Sequence, residues 1–469
     1  MEGSTGGKWE YTRNRREAKT NSGLKCILAR VVQDQREPFG SPRNPNNVSL
    51  GGQVNMRKQS ILSLTLLVFC LTVGTVTAQK PAVRGPFTFE PQSQSAVPGS
   101  EDPCSPLALP DGFSQTVIVE ESGVCGGAAV LDIYPGVADL SDMNTVNETG
   151  RQVGRYFYRT HERGTSGSVS VIDLQTGQAK ILVQNAGYRR LDGLEWTPWG
   201  TLLFGEEAGA DGRVFEIVLE KNDLMTAAAV IDRPAVGRMS HEGIHVDAQG
   251  NVYVGDELNG GAIFKFVPDN YGDLSSGTLY ALNIADESAA PGVGTGTAEW
   301  VALIPGQNGV VTSPTVSARA AAAEASVTGY NRPEDNQIIG EKLYFTATGT
   351  NNVYAVSLDG DPFVTEFVAA GVNVGNTVAF GLQDPDNLTA DSAGNLYIVE
   401  DNTPADIWVA TPDLNGDGRA DSVHLFATLT SPGSEGTGIY FARTQPRAMF
   451  INVQHPTDGN DRTILITKD

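Results

Sequence analysis

Residues 192–207 read DGLEWTPWGTLLFGEE, residues 242–257 read EGIHVDAQGNVYVGDE, and residues 386–401 read DNLTADSAGNLYIVED. Each stretch opens on an acid, runs a short apolar strand, turns at Gly or Asp/Gly, and runs a second strand. An acidic pair follows at offsets 14 and 15 from the opening acid. A fourth copy, EDNQIIGEKLYFTA at 334–347, has a shorter turn and ends on Thr346-Ala347 in place of the acids. A third strand then follows every hairpin: GRVFEIVL from Gly212, GAIFKFVP from Gly261, NNVYAVSL from Asn351 and ADIWVATP from Ala405. Small antiparallel sheets repeated at this period are the sequence form of propeller blades, since each one buries its faces by stacking on its neighbours.

The copies are 50 residues apart from Asp192 to Glu242 and 52 apart from Glu334 to Asp386. The 92 residues between Glu242 and Glu334 would hold two units, yet 280–330 carries no clean hairpin. The Ala-rich stretch Ala318 to Ala325 reads instead as a helical insertion. At the C-terminal end, Thr437 to His455 supplies first and second strands; Gly167 to Gln184 looks like third and fourth strands without a beginning. Joining the two closes the ring and leaves no exposed sheet edge. The expected fold is therefore an all-β, six-bladed β-propeller, with five blades as the fallback, a helical insertion and N-/C-terminal strand closure. A β-sandwich is the competing architecture, but it does not explain the fixed acid offsets.

Lys and Arg number 33 against 55 Asp and Glu, giving a net charge of −22 over 469 residues. So acidic a chain repels phosphate backbones, which argues against a nucleic-acid partner. Met56-Arg57-Lys58, the apolar run Ile61 to Val76 and Thr77-Ala78-Gln79 together read as a secretory signal cut after Ala78. The run is shorter than the ~20 residues of a spanning helix, so no transmembrane helix is expected after cleavage. The expected organisation is an upstream segment at 1–55, a signal peptide at 56–78, an N-terminal extension at 79–130 and the propeller at 131–469. Cys104 and Cys125 survive cleavage, and in an oxidising compartment they could close one local loop. The expected location is secreted, in a periplasm or outside the cell.

In a propeller the innermost strands surround a central channel, so acids at equivalent repeat positions converge on one mouth. Asp192, Glu242, Glu334 and Asp386 hold those positions, and Glu206, Asp256, Glu400 and Asp401 close the second strands. Crowded carboxylates call for neutralising cations. Oxygen-rich clusters poor in His suit Ca²⁺ above transition metals. Arg332 stands two residues from Glu334, and its fork suits phosphate or carboxylate. His241, next to Glu242, is a candidate ligand or proton donor as well as a candidate core histidine. Separately, Asp413, Asn415, Asp417, Arg419 and Asp421 follow calcium-loop spacing, with Gly418 at the sharp turn and His424 where an EF-hand has Glu. There is no nucleophile elbow, P-loop, dinucleotide fingerprint or HExxH motif.

Six stretches in this order resemble the PhoX-type secreted alkaline phosphatases: DMNTVNETG at 142–150, TPWGT at 197–201 through Glu206-Glu207, GRMSHEG at 237–243, NRPE at 331–334, PDNL at 385–388, and Thr437-Gly438 through Gln454-His455-Pro456. The resemblance implies a propeller with a polynuclear calcium and iron centre that hydrolyses small phosphate monoesters. By motif position it implies Glu206, Glu207, Glu242, Glu334 and Asp386 as metal ligands, with Asn144, Asn387 and Asp401 as further candidates. It puts Arg332 on the phosphate; with Arg332, Glu334 and His241 are the candidates for the chemistry. Where the family places an iron-binding Cys, this chain has Gly205. Iron is therefore in doubt, and several Ca²⁺ ions are the expected cofactors. The alternatives are a non-catalytic calcium-binding propeller for surface binding or adhesion, and a lactonase-like propeller hydrolase.

Overall fold

The computed structural model describes residues 83–286, 293–369, 381–442 and 444–468. The segment 1–55 and the signal at 56–78 lie outside these residues. Six antiparallel four-strand groups account for nearly all the ladders. Their innermost strands are Ser141–Val146, Leu191–Trp196, His241–Val246, Pro333–Ile339, Pro385–Ala390 and Glu435–Phe441. Each of these strands touches the next, and the last touches the first, so the six form a closed ring. Both faces of every sheet are covered by neighbours, which is why their strands read as apolar runs. Tyr158 and Trp196 stack across one such interface, with Phe204 stacked on Phe215 in the same cluster.

Two features of the sequence reading change. The stretch 141–184 is a complete sheet of its own, with strands Ser141–Val146, Tyr156–His161, Ser168–Asp173 and Gln178–Gln184. It therefore does not complete the C-terminal hairpin. That role falls to Arg462–Lys468 and to Phe113–Glu120, which pair antiparallel and join the two ends of the fold in one sheet. The 92-residue gap holds one sheet, whose fourth strand Asp273–Asp286 carries an additional strand, Gly296–Ala302, reaching across to the next sheet. The helix Pro314–Glu324 packs against this part of the fold through Ala318, Ala321 and Ala322.

Phe87 seals the joint between the last two sheets, with its ring against Phe113, Tyr397, Phe426 and Phe441. Cys104 and Cys125 form a disulfide in the N-terminal extension. No helix of the described residues is long and apolar enough to cross a membrane.

Candidate metal centre

All six inner strands carry the same irregularity. The register slips by one residue between the pairs Leu191↔Glu206 and Leu194↔Phe204. It slips likewise after Ser141, His241, Pro333, Pro385 and Thr437. Such a bulge re-aims a side chain and commonly sits beside a site. The residue that follows the last pair before the slip is Asp142, Asp192, Glu242, Glu334, Asp386 and, in the sixth strand, Gly438. Five acids thus enter the ring at one level. Glycine follows two of them because the strands approach so closely: a Cβ on Gly193 would lie 2.7 Å from Ile244 Cγ1, and one on Gly243 would overlap Asp335.

Asp142 was not singled out by sequence, although Ser141-Asp142 occupies the register of Leu191-Asp192. Its hairpin turn, 147–155, is longer than the five-residue turns of the Asp192, Glu242 and Asp386 copies, which hid the repeat.

A second tier stands just beyond the end of each second strand. Glu162, Glu207, Glu257, Thr348 and Asp401 donate their backbone N–H to the carbonyls of Leu140, Arg190, Ser240, Arg332 and Asp384. Two carboxylate trios lie within 4.8 Å, oxygen to oxygen: Glu207 with Glu242 and Glu257, and Glu242 with Glu334 and Asp386. Glu242 belongs to both. Burial, reinforced by neighbouring carboxylates, pushes Asp142, Glu242 and Asp386 well above the ordinary carboxyl range. The same causes bring Asp192 and Glu334 to about 8 and Glu207 to about 10. Asp192 Oδ1 and Glu334 Oε1 are buried without a hydrogen-bond donor among the described residues. Arg332 Nη2 does stand 3.0 Å from that Glu334 oxygen, but as an ion pair outside hydrogen-bond geometry.

Oxygen-only donors with unmatched lone pairs and suppressed ionisation fit a hard divalent cation such as calcium. They do not fit a thiolate-bound iron. A Cβ at Gly205 would lie 2.7 Å from His241 Cβ and 3.3 Å from Ile244 Cδ1, so the cradle of a side chain there is already filled.

The remaining candidates are placed as follows. Glu206 is fully buried and outside both trios: Arg213 holds its carboxylate at 2.6 Å and the Arg189 N–H donates to it at 3.0 Å. Asp256 is gripped in the same way by Arg319 from the helix, and Glu400 by the indole of Trp408. The acid at offset 14 is thus a strut, and the acid at offset 15 faces the cluster. His241 lies behind the acids, fully buried, with Nε2 3.3 Å from the Gly237 carbonyl. Burial drives its pKa down to about 3, so it is neutral and has no proton to give as an imidazolium at neutral pH. Asn144 and Asn387 staple the sixth inner strand: Asn144 Nδ2 donates to the Gly438 carbonyl and Asn387 Oδ1 accepts from the Gly438 N–H, both at 2.6 Å. Arg332 crowns the ring, its Nε 2.9 Å from Glu257. Burial opposes its charge, but Glu334 and Glu257 raise its pKa overall.

The loop with Asp413, Asn415, Asp417, Arg419 and Asp421 is at the other end of its sheet, where Asp413 Oδ2 is 3.7 Å from Lys342 at a hairpin turn. Its carboxylates accept N–H groups of the loop itself, Gly416, Asp417 and Gly418 donating to Asp413. Arg419 reaches towards Glu366 at 3.6 Å. A cavity of about 860 Å³ also opens at the far end of the channel, lined by Glu195, His245, Gln337, Thr389 and Tyr440 from the opposite halves of the inner strands. None of the five converging acids lines it, so size and chemistry separate to opposite mouths.

Residues 193–366 match the family model described as alkaline phosphatase PhoX. Among solved structures, PhoX from Pseudomonas fluorescens in complex with vanadate superposes with a TM-score of 0.60 at 18% identity, covering 82% of this chain and 98% of that one. A gluconolactonase from Xanthomonas campestris gives 0.46 at 13% identity over 80% and 97% of the two chains. No curated protein matches the sequence. The chain is thus similar to the PhoX family over 193–366 and shares its fold, along most of its length, with a solved PhoX.

Proposed function

We propose that this is a secreted, calcium-dependent phosphoesterase that hydrolyses phosphate monoesters at the acid-lined mouth of a six-bladed propeller. One observation carries the reading: Asp142, Asp192, Glu242, Glu334 and Asp386 enter the ring from one register position, and Arg332 stands over them. The PhoX family match supports the reaction class. Divalent ions bound there would polarise a phosphoryl oxygen and neutralise developing charge. The chain's own part is to hold and orient. Glu242 would serve two ions at once, and Glu207 and Glu257 would flank the first. Arg332, fixed at φ +52 and pinned by Glu257, would present its guanidinium to a non-bridging phosphate oxygen. The Cys104–Cys125 disulfide is in keeping with an oxidising compartment, as the expected signal requires.

The test is turnover of p-nitrophenyl phosphate at alkaline pH by the purified protein, with calcium and with or without iron. Wild type should turn over with calcium alone, and Glu334→Gln should lose on the order of 10³-fold in kcat. Equal inactivity of the two under every metal condition would overturn the enzyme reading and favour a calcium-binding propeller.

The packing at Gly205 bears on iron. Gly205→Cys should overpack the His241 contact, costing about 1–3 kcal/mol of stability, and should gain no thiolate-to-iron absorption band. A variant with unchanged Tm and such a band would show that His241 is no obstacle.

A further inference from the structure

Three basic side chains ring this mouth, one from every second sheet: Arg190 before the second inner strand, Arg332 before the fourth, and His455 beyond the sixth sheet's second strand. Arg190 and Arg332 occupy the same register position, each accepting at its carbonyl the N–H of the second-tier residue of its own sheet. All three adopt the left-handed backbone region, at φ +41, +52 and +41, as do Leu140 and Asp384 at the register position of the two arginines, so this conformation is a feature of the repeat that sets the direction of every side chain placed there. Each side chain is about half exposed and ties one edge to the acidic tier: Arg190 Nη1 to Glu207 at 2.9 Å, Arg332 Nε to Glu257 at 2.9 Å, His455 Nε2 to Glu435 at 3.2 Å.

Cations beside a calcium cluster are a cost to that cluster, because each repels the ions that the carboxylates attract. Their placement above the acids is explained if a second anion, arriving from solvent, must sit on top of the loaded centre. We infer that Arg190 and His455 complete, with Arg332, a three-sided collar that grips the oxygens of an incoming phosphate dianion. The inference rests on the phosphoesterase reading and adds two recognition residues to it. A monoester dianion has three non-bridging oxygens to offer such a collar, whereas a diester has two.

The experiment uses calcium-loaded protein and inorganic phosphate. Binding of phosphate is measured by calorimetry, alongside KM and kcat for p-nitrophenyl phosphate, for wild type, Arg190→Gln, Arg190→Lys and His455→Gln. Loss of one charge-assisted hydrogen bond should weaken phosphate binding and raise KM by roughly 10-fold or more, with kcat/KM falling chiefly through KM. Bound calcium and Tm should stay at the wild-type level, and Arg190→Lys should recover only part of the loss because it lacks the fork. Unchanged KM and phosphate affinity would overturn the collar. So would a fall in bound calcium that accounts for the weaker binding, since the cations would then serve the acids alone. If wild type binds phosphate, weakened in the variants, but never turns over substrate, the collar stands and the phosphoesterase reading fails. If wild type neither binds nor hydrolyses, both fail.

Discussion

Glu242→Gln is expected to remove more activity and more metal than any other single substitution in the ring. Its carboxylate belongs to both trios, whereas Glu207 and Glu257 belong to one and Glu334 and Asp386 to the other. An amide keeps the volume but offers one neutral oxygen in place of two charged ones, too little to bridge two hard cations. Turnover should drop on the order of 10³-fold or more, and metal analysis should show at least two calcium ions fewer than wild type. Glu207→Gln should lose one ion and Asp386→Asn the other, each with a smaller fall. Fold loss is not the expected cause: burial and the neighbouring Asp192, Glu334 and Glu207 raise the Glu242 pKa and so favour its neutral form, which Gln resembles. A Glu242→Gln protein with its full complement of calcium would remove the bridging role.

The metal-free protein should lose stability as pH rises, and calcium should abolish that slope. Asp192 and Glu334 titrate at about 8 in the fold and Glu207 at about 10, all far above the ordinary carboxyl range they keep when unfolded. Groups raised on folding stabilise fully below their unfolded pKa, and that contribution disappears as pH climbs through the folded value. The window is therefore from about pH 4 to about pH 10, opposite to the acid lability of most carboxylate-rich proteins. Calcium binds the ionised form, so its affinity grows over the same window. At 100 times Kd one ion adds about 2.7 kcal/mol, and two would add roughly twice that. Thermal melts at pH 5, 7 and 9, with chelator and with calcium, should converge at pH 5 and diverge by several degrees or more at pH 9. A metal-free melt that rises with pH would contradict the buried, proton-retaining acids.

Much of this architecture was legible in the chain because the repeat carries its own punctuation. Asp192-Gly193 and Glu242-Gly243 announce both the acid and the tight approach behind it, and the alternating hairpins give the sheets. Less visible was which acid of each pair would face the ring. Gly205-Glu206-Glu207 offers two carboxylates in a row, and only the distant Arg213 and Arg189 decide that Glu206 is held away. Glu435 and Arg190 carry no motif, and His455 lies inside the quoted Gln454-His455-Pro456 stretch with nothing in it to show that the imidazole meets Glu435. Asp142 fell out because a longer turn broke the period. His241 looked chemical beside Glu242, but adjacent residues of a strand face opposite sides, and its side became the core.

The strand Phe113–Glu120 completes the sheet begun by Glu435–Phe441, although more than three hundred residues separate the partners. Pairing at such separation is entropically slow and comes late. Until it happens the circle is open at the sixth sheet, and water reaches the carboxylates of the other five and screens their mutual repulsion. If the acids bind cations as proposed, closing the ring and capturing them are coupled. A segment emerging unfolded into a calcium-rich compartment would meet its ions only at the moment when it needs them.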